Sequence, residues 1–240
     1  MKKLLQDKKL LIIATFAAVE IILYITFHIM RFASGDDAIY IKYGGILLCL
    51  AVAGLNCAFY GNDAKMLLGG LFFTAVSDMF ILVLKIYIPG ICTFIAVQCF
   101  YFARIYLISG KKPYISIAVR LTIVVAALIV LGVIGMLNPL TAVSAIYFPQ
   151  LLCNVVDSAF LIKISKRYIL FFIGLILFMG CDICVGLFNL DLGLPAETVN
   201  VINILIWTFY LPSQTLIVAS VRDTEYKPFF KKTVKPQNEE

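Results

Sequence analysis

Residues 168–189 read YILFFIGLILFMGCDICVGLFN, a run with no basic residue and a single carboxylate, Asp182. As a helix rising 1.5 Å per residue, such a run reaches about 33 Å, enough to cross a hydrocarbon core about 30 Å thick. A charged carboxylate there costs about 2.5–3.5 kcal/mol on insertion scales, so it faces a partner or a wet cavity rather than acyl chains. The run has a counterpart: Gly174-Leu-Ile-Leu-Phe-Met-Gly-Cys181-Asp182 is echoed by Gly70-Leu-Phe-Phe-Thr-Ala-Val-Ser77-Asp78. In both, Gly-Leu stands eight and seven residues ahead of the Asp, and a small residue stands just before it. Two acids in matching frames predict one shared polar site inside a helical bundle.

The rest of the chain is equally apolar. Of its 240 residues 62% are hydrophobic and 14% charged, and its mean hydropathy is +0.99. No soluble domain of this size has an interior for so much apolar surface, whereas a polytopic membrane protein does not need one. The apolar runs give eight spans, at about 9–30, 41–60, 64–86, 88–108, 114–136, 140–162, 168–189 and 197–221. Lipid offers no partner to an open strand edge, so the spans are predicted to be helices. The first run is too long for a secretory signal and lacks its small-residue cleavage site, which keeps it as a span. Polar and Gly/Pro-containing breaks such as Gly61-Asn62-Asp63 and Asn138-Pro139 separate the runs. The expected fold class is all-α: an eight-helix transmembrane bundle forming one domain over 1–221, with a basic tail over 222–240.

The basic residues orient it. Lys2, Lys3, Lys8, Lys9, Lys65, Arg104, Lys111, Lys112, Arg120, Lys163, Lys166, Arg167, Arg222, Lys227, Lys231, Lys232 and Lys235 fall on one side of the eight-span plan. Arg31, Lys42 and Lys85 fall on the other. The positive-inside rule then puts both termini in the cytoplasm of a cell-membrane protein. A net charge of +6 calls for no nucleic acid; the tail is expected to meet anionic headgroups of the bilayer, at about 1 kcal/mol per contacting cation. The Asp78 and Asp182 frames are 104 residues apart, on spans three and seven, about 20 Å and 22 Å beyond Lys65 and Arg167. Span four carries Gln98 and Tyr101, and span eight carries Tyr210 and Gln214. These echoes point to a four-plus-four pseudo-repeat in parallel sense.

Other polar residues within the spans have plainer readings. The seven cysteines lie in apolar helices and read as small packing residues rather than a disulfide framework. Cys181-Asp-Ile-Cys184 lacks the second pair or the His companions of a thiolate metal site, and the one His, His28, lies near a span end, so no metal is expected. Asp157 and Asn154, one turn apart on span six, suggest an ion pair with Lys163 or another cation. No companion motif gives Glu20 a role. As isolated residues, Asp78 and Asp182 read as interhelical glue for a Ser, Thr or Tyr hydroxyl, and Gln98, Tyr101, Thr208, Tyr210 and Gln214 read as packing. As a pair, two buried carboxyls suit general acid–base hydrolysis, one delivering a proton while the other, ionised, orients water. Intramembrane acids and pseudo-repeats also belong to proton-coupled small-solute transporters, although Pro212 in span eight has no counterpart in span four.

Two longer patterns carry a resemblance. The first half reads Ser77-Asp78, then Gly90-Ile-Cys-Thr-Phe94-Ile-Ala-Val-Gln98-Cys-Phe-Tyr101; the second reads Phe178-Met-Gly-Cys181-Asp182, then Thr208-Phe209-Tyr210-Leu-Pro-Ser-Gln214. In order and spacing, over about residues 40–221, these resemble the YhhN-like family of lysoplasmalogenases. That family has Gly where Ser77 stands, Ser where Cys181 stands, His where Gln98 stands, and Lys-Pro where Lys42-Tyr43 stands. The resemblance implies water-dependent cleavage of the vinyl ether of a lysoplasmalogen, releasing a fatty aldehyde and a glycerophospho-headgroup. It implies Asp78 and Asp182 as the acid–base pair, Gln98, Tyr101, Thr208, Tyr210 and Gln214 as residues that orient water and the glycerol, a lysophospholipid substrate, and no metal or organic cofactor. Gln cannot carry a proton through a catalytic cycle, so its place at 98 keeps a non-catalytic lipid-binding protein as an alternative.

Overall fold

The computed structural model describes residues 2–34, 38–189 and 193–222, and among them every regular element is helical. The helices are α1 (Lys2–Ser34), α2 (Ile39–Asp78), α3 (Tyr87–Ser109), α4 (Tyr114–Val133), α5 (Pro139–Ile162), α6 (Tyr168–Asn189) and α7 (Ala196–Ala219). Seven helices among the described residues are long and apolar enough to cross a membrane, so the chain is an integral multi-pass membrane protein. Exposed Ile, Leu, Val and Phe side chains along α1 and α4 present the outer surface that lipid covers.

Seven helices stand where eight spans were predicted, because the break expected at 61–63 is a bend inside one helix. Gly61 alone leaves helical geometry, at φ 60° and ψ −133°, a conformation that glycine adopts without a Cβ penalty. The two arms of α2 turn back on each other there. A Cβ on Gly54 would stand 4.0 Å from the Leu68 side chain, although fourteen residues of straight helix span about 21 Å. The second arm also ends before the predicted 86. Asp78 closes it, a π-helical turn follows over Met79–Val83, and Lys85 sits in the left-handed region at φ 58°.

Glycines set how closely the helices approach. A Cβ on Gly70 would come within 2.7 Å of the Tyr101 ring on α3, and one on Gly174 within 3.0 Å of the Ser213 carbonyl on α7. The two echoing Gly-Leu frames thus share a packing role: each lets the helix that bears an Asp lie close against the next helix. At the start of α5, Asn138 accepts from the Leu140 and Thr141 amides, both at 3.0 Å, and Thr141 Oγ1 accepts from the Asn138 amide at 2.9 Å. This capping box, with Pro139 in the first turn, fixes where α5 begins.

Two ionic clusters tie the end of the bundle remote from Asn138. Arg104 Nε and Nη2 donate to the two oxygens of Asp63 at 2.7 and 3.0 Å, Arg104 Nη1 donates to Ser220 Oγ at 2.9 Å, and the Arg222 amide donates to Asp63 at 2.9 Å. Both side chains are fully buried, so Arg104, grouped by the sequence with membrane-surface cations, is an internal tie between α2, α3 and the chain after α7. Asp157 finds its cation in Arg120 on α4, at 2.7 Å, and Arg120 also reaches Asn154 and Gln150. The basic tail beyond Arg222, and the side chains of Lys2, Lys3, Lys8 and Lys9, lie outside the described residues.

Candidate active site

Asp78 and Asp182 line one cavity of about 650 Å³. It is walled by the first turn of α2, the end of its second arm with the π-helical turn, the first turns of α3 and α5, the last half of α6 and the middle of α7. Its floor is buried, with Asp78, Cys181, Tyr147 and Tyr210 all nearly inaccessible, whereas Lys85, Tyr87, Phe188 and Asn189 at its rim are exposed. Most of the lining is apolar, so the few polar groups converge on the two acids.

Each acid accepts a tyrosine hydroxyl. Tyr210 OH donates to Asp78 Oδ2 at 2.7 Å, and Tyr147 OH donates to Asp182 Oδ2 at 2.5 Å. These bonds run between helices: α7 to α2 in one case, α5 to α6 in the other. Aromatic rings hold the tyrosines in place. Tyr147 lies 5.8 Å from Phe94, Phe94 lies 5.6 Å from Phe178, and Phe178 lies 5.7 Å from Tyr210, with Trp207 nearly perpendicular to Tyr210 at 5.5 Å. Rings at 4.5–7 Å in edge or tilted contact are well placed to attract, so the chain from Tyr147 to Tyr210 fixes both hydroxyls without using up their polar atoms.

Backbone features aim the first acid. Ser77, next to Asp78, donates its hydroxyl to the Gly90 carbonyl at the start of α3, anchoring this arm of α2 across the connection. The π-helical turn begins at once after Asp78, and such turns shift the register of the side chains that follow. A Cβ on Gly90 would collide with Ile81 of that turn, at 2.4 Å. The small residue at 90 is thus what lets the turn seat against α3.

The other sequence candidates sit elsewhere. Gln98, Tyr101, Thr208 and Gln214 are not among the residues lining the cavity. Gln98 is buried one turn beyond Phe94, where its Oε1 accepts from Asn154 at 2.9 Å and its amide nitrogen has no hydrogen-bond partner among the described residues. Tyr101 is fully buried against Gly70 and Phe171, its hydroxyl likewise without a partner. Thr208 bonds back to the Ile204 carbonyl at 2.9 Å, and Gln214 donates to Ser213 Oγ at 3.3 Å. Glu20 is not among the residues lining the cavity; it is buried beside Gly45 with Cys49 Sγ 3.6 Å away.

Sequence reading missed Tyr147, Lys42 and Lys85 as residues of this site. No repeated frame marks Tyr147, and its distance of 35 residues from Asp182 hides the pairing. Lys85 was read only as a rare cation of one face, and Lys42 as that and as the place of the family's Lys-Pro. Lys42, buried in the cavity wall, points its ammonium at the Trp207 ring, 4.3 Å from the centroid.

No three His, Cys, Asp or Glu side chains come together as a metal site among the described residues. Chemically, the site offers two carboxyls, each fixed by a phenol, in a largely apolar pocket of about 650 Å³. Compared with known proteins, the chain matches the model of the YhhN family over residues 38–221. No curated protein and no solved structure matches it.

Proposed function

Since the chain belongs to the YhhN family, we propose that it is a membrane hydrolase of lysoplasmalogens, with Asp78 and Asp182 as its acid–base pair. The observation that carries this reading is the convergence of both carboxyls on one cavity, each with its own tyrosine donor. A protonated carboxyl delivers its proton to the β-carbon of the vinyl ether, and the ether oxygen shares the charge of the resulting oxocarbenium ion. The second carboxylate stabilises that ion, guides water onto the charged carbon and takes the water's proton. The hemiacetal so formed loses the glycerol oxygen as an alcohol, a proton passing to it, and leaves the fatty aldehyde. One water is consumed and the two carboxyls return to their starting protonation. Tyr147 and Tyr210 hold the acids in place, and Gln98 lies beside Tyr147.

The long bent helix fits the same proposal. With Gly61 as the turn, its arms make two crossings, the chain crosses eight times in two four-span halves, and both termini share the cytoplasmic side of the cell membrane. The end that bears Arg104, Lys163 and Arg167 is then cytoplasmic, and the cavity mouth lies at the other.

The test is purified protein in neutral detergent with a lysoplasmalogen, assayed for aldehyde. Wild type should release aldehyde, and Asp78→Asn and Asp182→Asn should each lose at least about a hundredfold in rate, the usual scale of a lost general acid or base. Binding of lysolipid with no aldehyde from the wild type would instead mark a non-catalytic lipid-binding protein, the reading favoured by Gln98. Proton-dependent solute uptake into proteoliposomes without aldehyde would mark a transporter.

A further inference from the structure

The cavity that holds two acids at its floor also carries two cations, one exposed at its rim and one buried in its wall. Lys85 lies in the connection between the π-helical turn and α3, exposed at the rim, and Lys42 sits in the first turn of α2 in the wall. Asp78 and Lys85 bracket the π-helical turn, so one short connection joins a carboxyl on the floor to a cation at the rim. A backbone in the left-handed region is uncommon for any residue but glycine and asparagine, yet Lys85 occupies it at φ 58°. Its neighbours along the cavity, Ile81, Leu82 and Phe148, are apolar. Charge therefore changes sign along the cavity, with an apolar strip beside it.

We infer that Lys85 at the cavity rim, with Lys42 in the wall, forms an anion subsite that takes the phosphate diester of a lysophospholipid. The headgroup then faces the end of the bundle remote from Arg104 and Asp63, while the glycerol reaches down to the carboxyls. The apolar strip takes the start of the chain. This inference rests on the proposed lipid substrate and adds to it which end of the molecule binds where. It also explains the order of charges: an anion held by these two cations is kept from the acids below, whose ionised form it would repel.

The single tryptophan, Trp207, lines this cavity next to Lys42, so its fluorescence reports occupancy without turnover. Three probes are titrated in neutral detergent: a 1-O-alkyl lysophospholipid, whose saturated ether is not cleaved by vinyl protonation; the matching 1-O-alkylglycerol without phosphate; and inorganic phosphate. The alkyl lysophospholipid should bind wild type at least about tenfold tighter than the alkylglycerol, as one charge-assisted bond to phosphate provides. Lys85→Asn, which keeps a residue tolerant of the left-handed backbone, should remove most of that gap and leave alkylglycerol binding unchanged. Lys42→Gln should do the same; where it fails to fold, Lys85→Asn decides. Equal binding of the two lipids by wild type, or a full gap surviving in Lys85→Asn, overturns the subsite. Inorganic phosphate binding as tightly as the lysolipid overturns its assignment to a lipid headgroup. A protein that shows the gap but releases no aldehyde keeps the subsite and loses only the hydrolase reading, and an active protein with no gap does the reverse.

Discussion

Tyr210 and Tyr147 each spend their one hydroxyl proton on a carboxylate oxygen of another helix. Removing the hydroxyl but keeping the ring isolates that contribution, because the aromatic chain through Phe94 and Phe178 stays intact. Tyr210→Phe and Tyr147→Phe should therefore fold normally and lower kcat for aldehyde release about tenfold each, the worth of one hydrogen bond to a charged group. An unchanged kcat in both variants would reduce the tyrosines to packing. At this scale the sequence was informative where a pattern repeated. Asp78 and Asp182 stood out because their frames match, and Tyr210 because it follows the second frame at a set distance. Tyr147 was not legible, since partnership across helices leaves no local trace. Gln98, Tyr101 and Gln214 were legible as buried polar residues, but a one-dimensional pattern does not tell the layer that faces a cavity from the layer behind it.

Glycine distinguishes the two faces of α6. Gly174 is pressed against α7, where an added Cβ meets the Ser213 carbonyl at 3.0 Å and the Ile217 amide at 3.2 Å, backbone atoms that do not move out of the way alone. Gly186, on the same helix, has open space where its Cβ would stand. Gly174→Ala should cost about 1–3 kcal/mol by forcing the helices apart. Gly186→Ala should be neutral or stabilising by up to about 1 kcal/mol, from helix propensity alone. Unfolding in detergent measures both; equal effects would contradict the packing described. Hydropathy located nearly every helix, since apolar length is a strong signal in lipid. It read Gly61-Asn62-Asp63 as a loop, whereas one glycine with positive φ makes the whole reversal between the two arms of α2. The left-handed turn at Lys85 was equally invisible, for Lys is not a residue whose presence announces it.

Across the whole molecule, charge is held in separate layers. Arg104 and Asp63 are both fully buried at one end, two acids lie on the floor of the cavity, and Lys85 stands at its rim with Lys42 in its wall. Breaking the first layer exposes its cost: Asp63→Ala leaves the Arg104 guanidinium buried without its carboxylate and should destabilise by about 3–5 kcal/mol. Adding Arg104→Met should return much of that loss, and thermal unfolding of the single and double variants reads it. Persistence of the full loss in the double variant would show that packing, not charge, is what Asp63 supplies. The proposed function rests on the second layer, in which two carboxyls would act on one substrate. Residues that work as a unit are not additive: once one is gone, losing the other costs little more. Aldehyde release by wild type, Asp78→Asn, Asp182→Asn and the double variant is therefore the measurement that matters most. A double variant no slower than the slower single variant is the expected result, and losses that multiply, or a wild type that releases no aldehyde, would contradict a shared catalytic site.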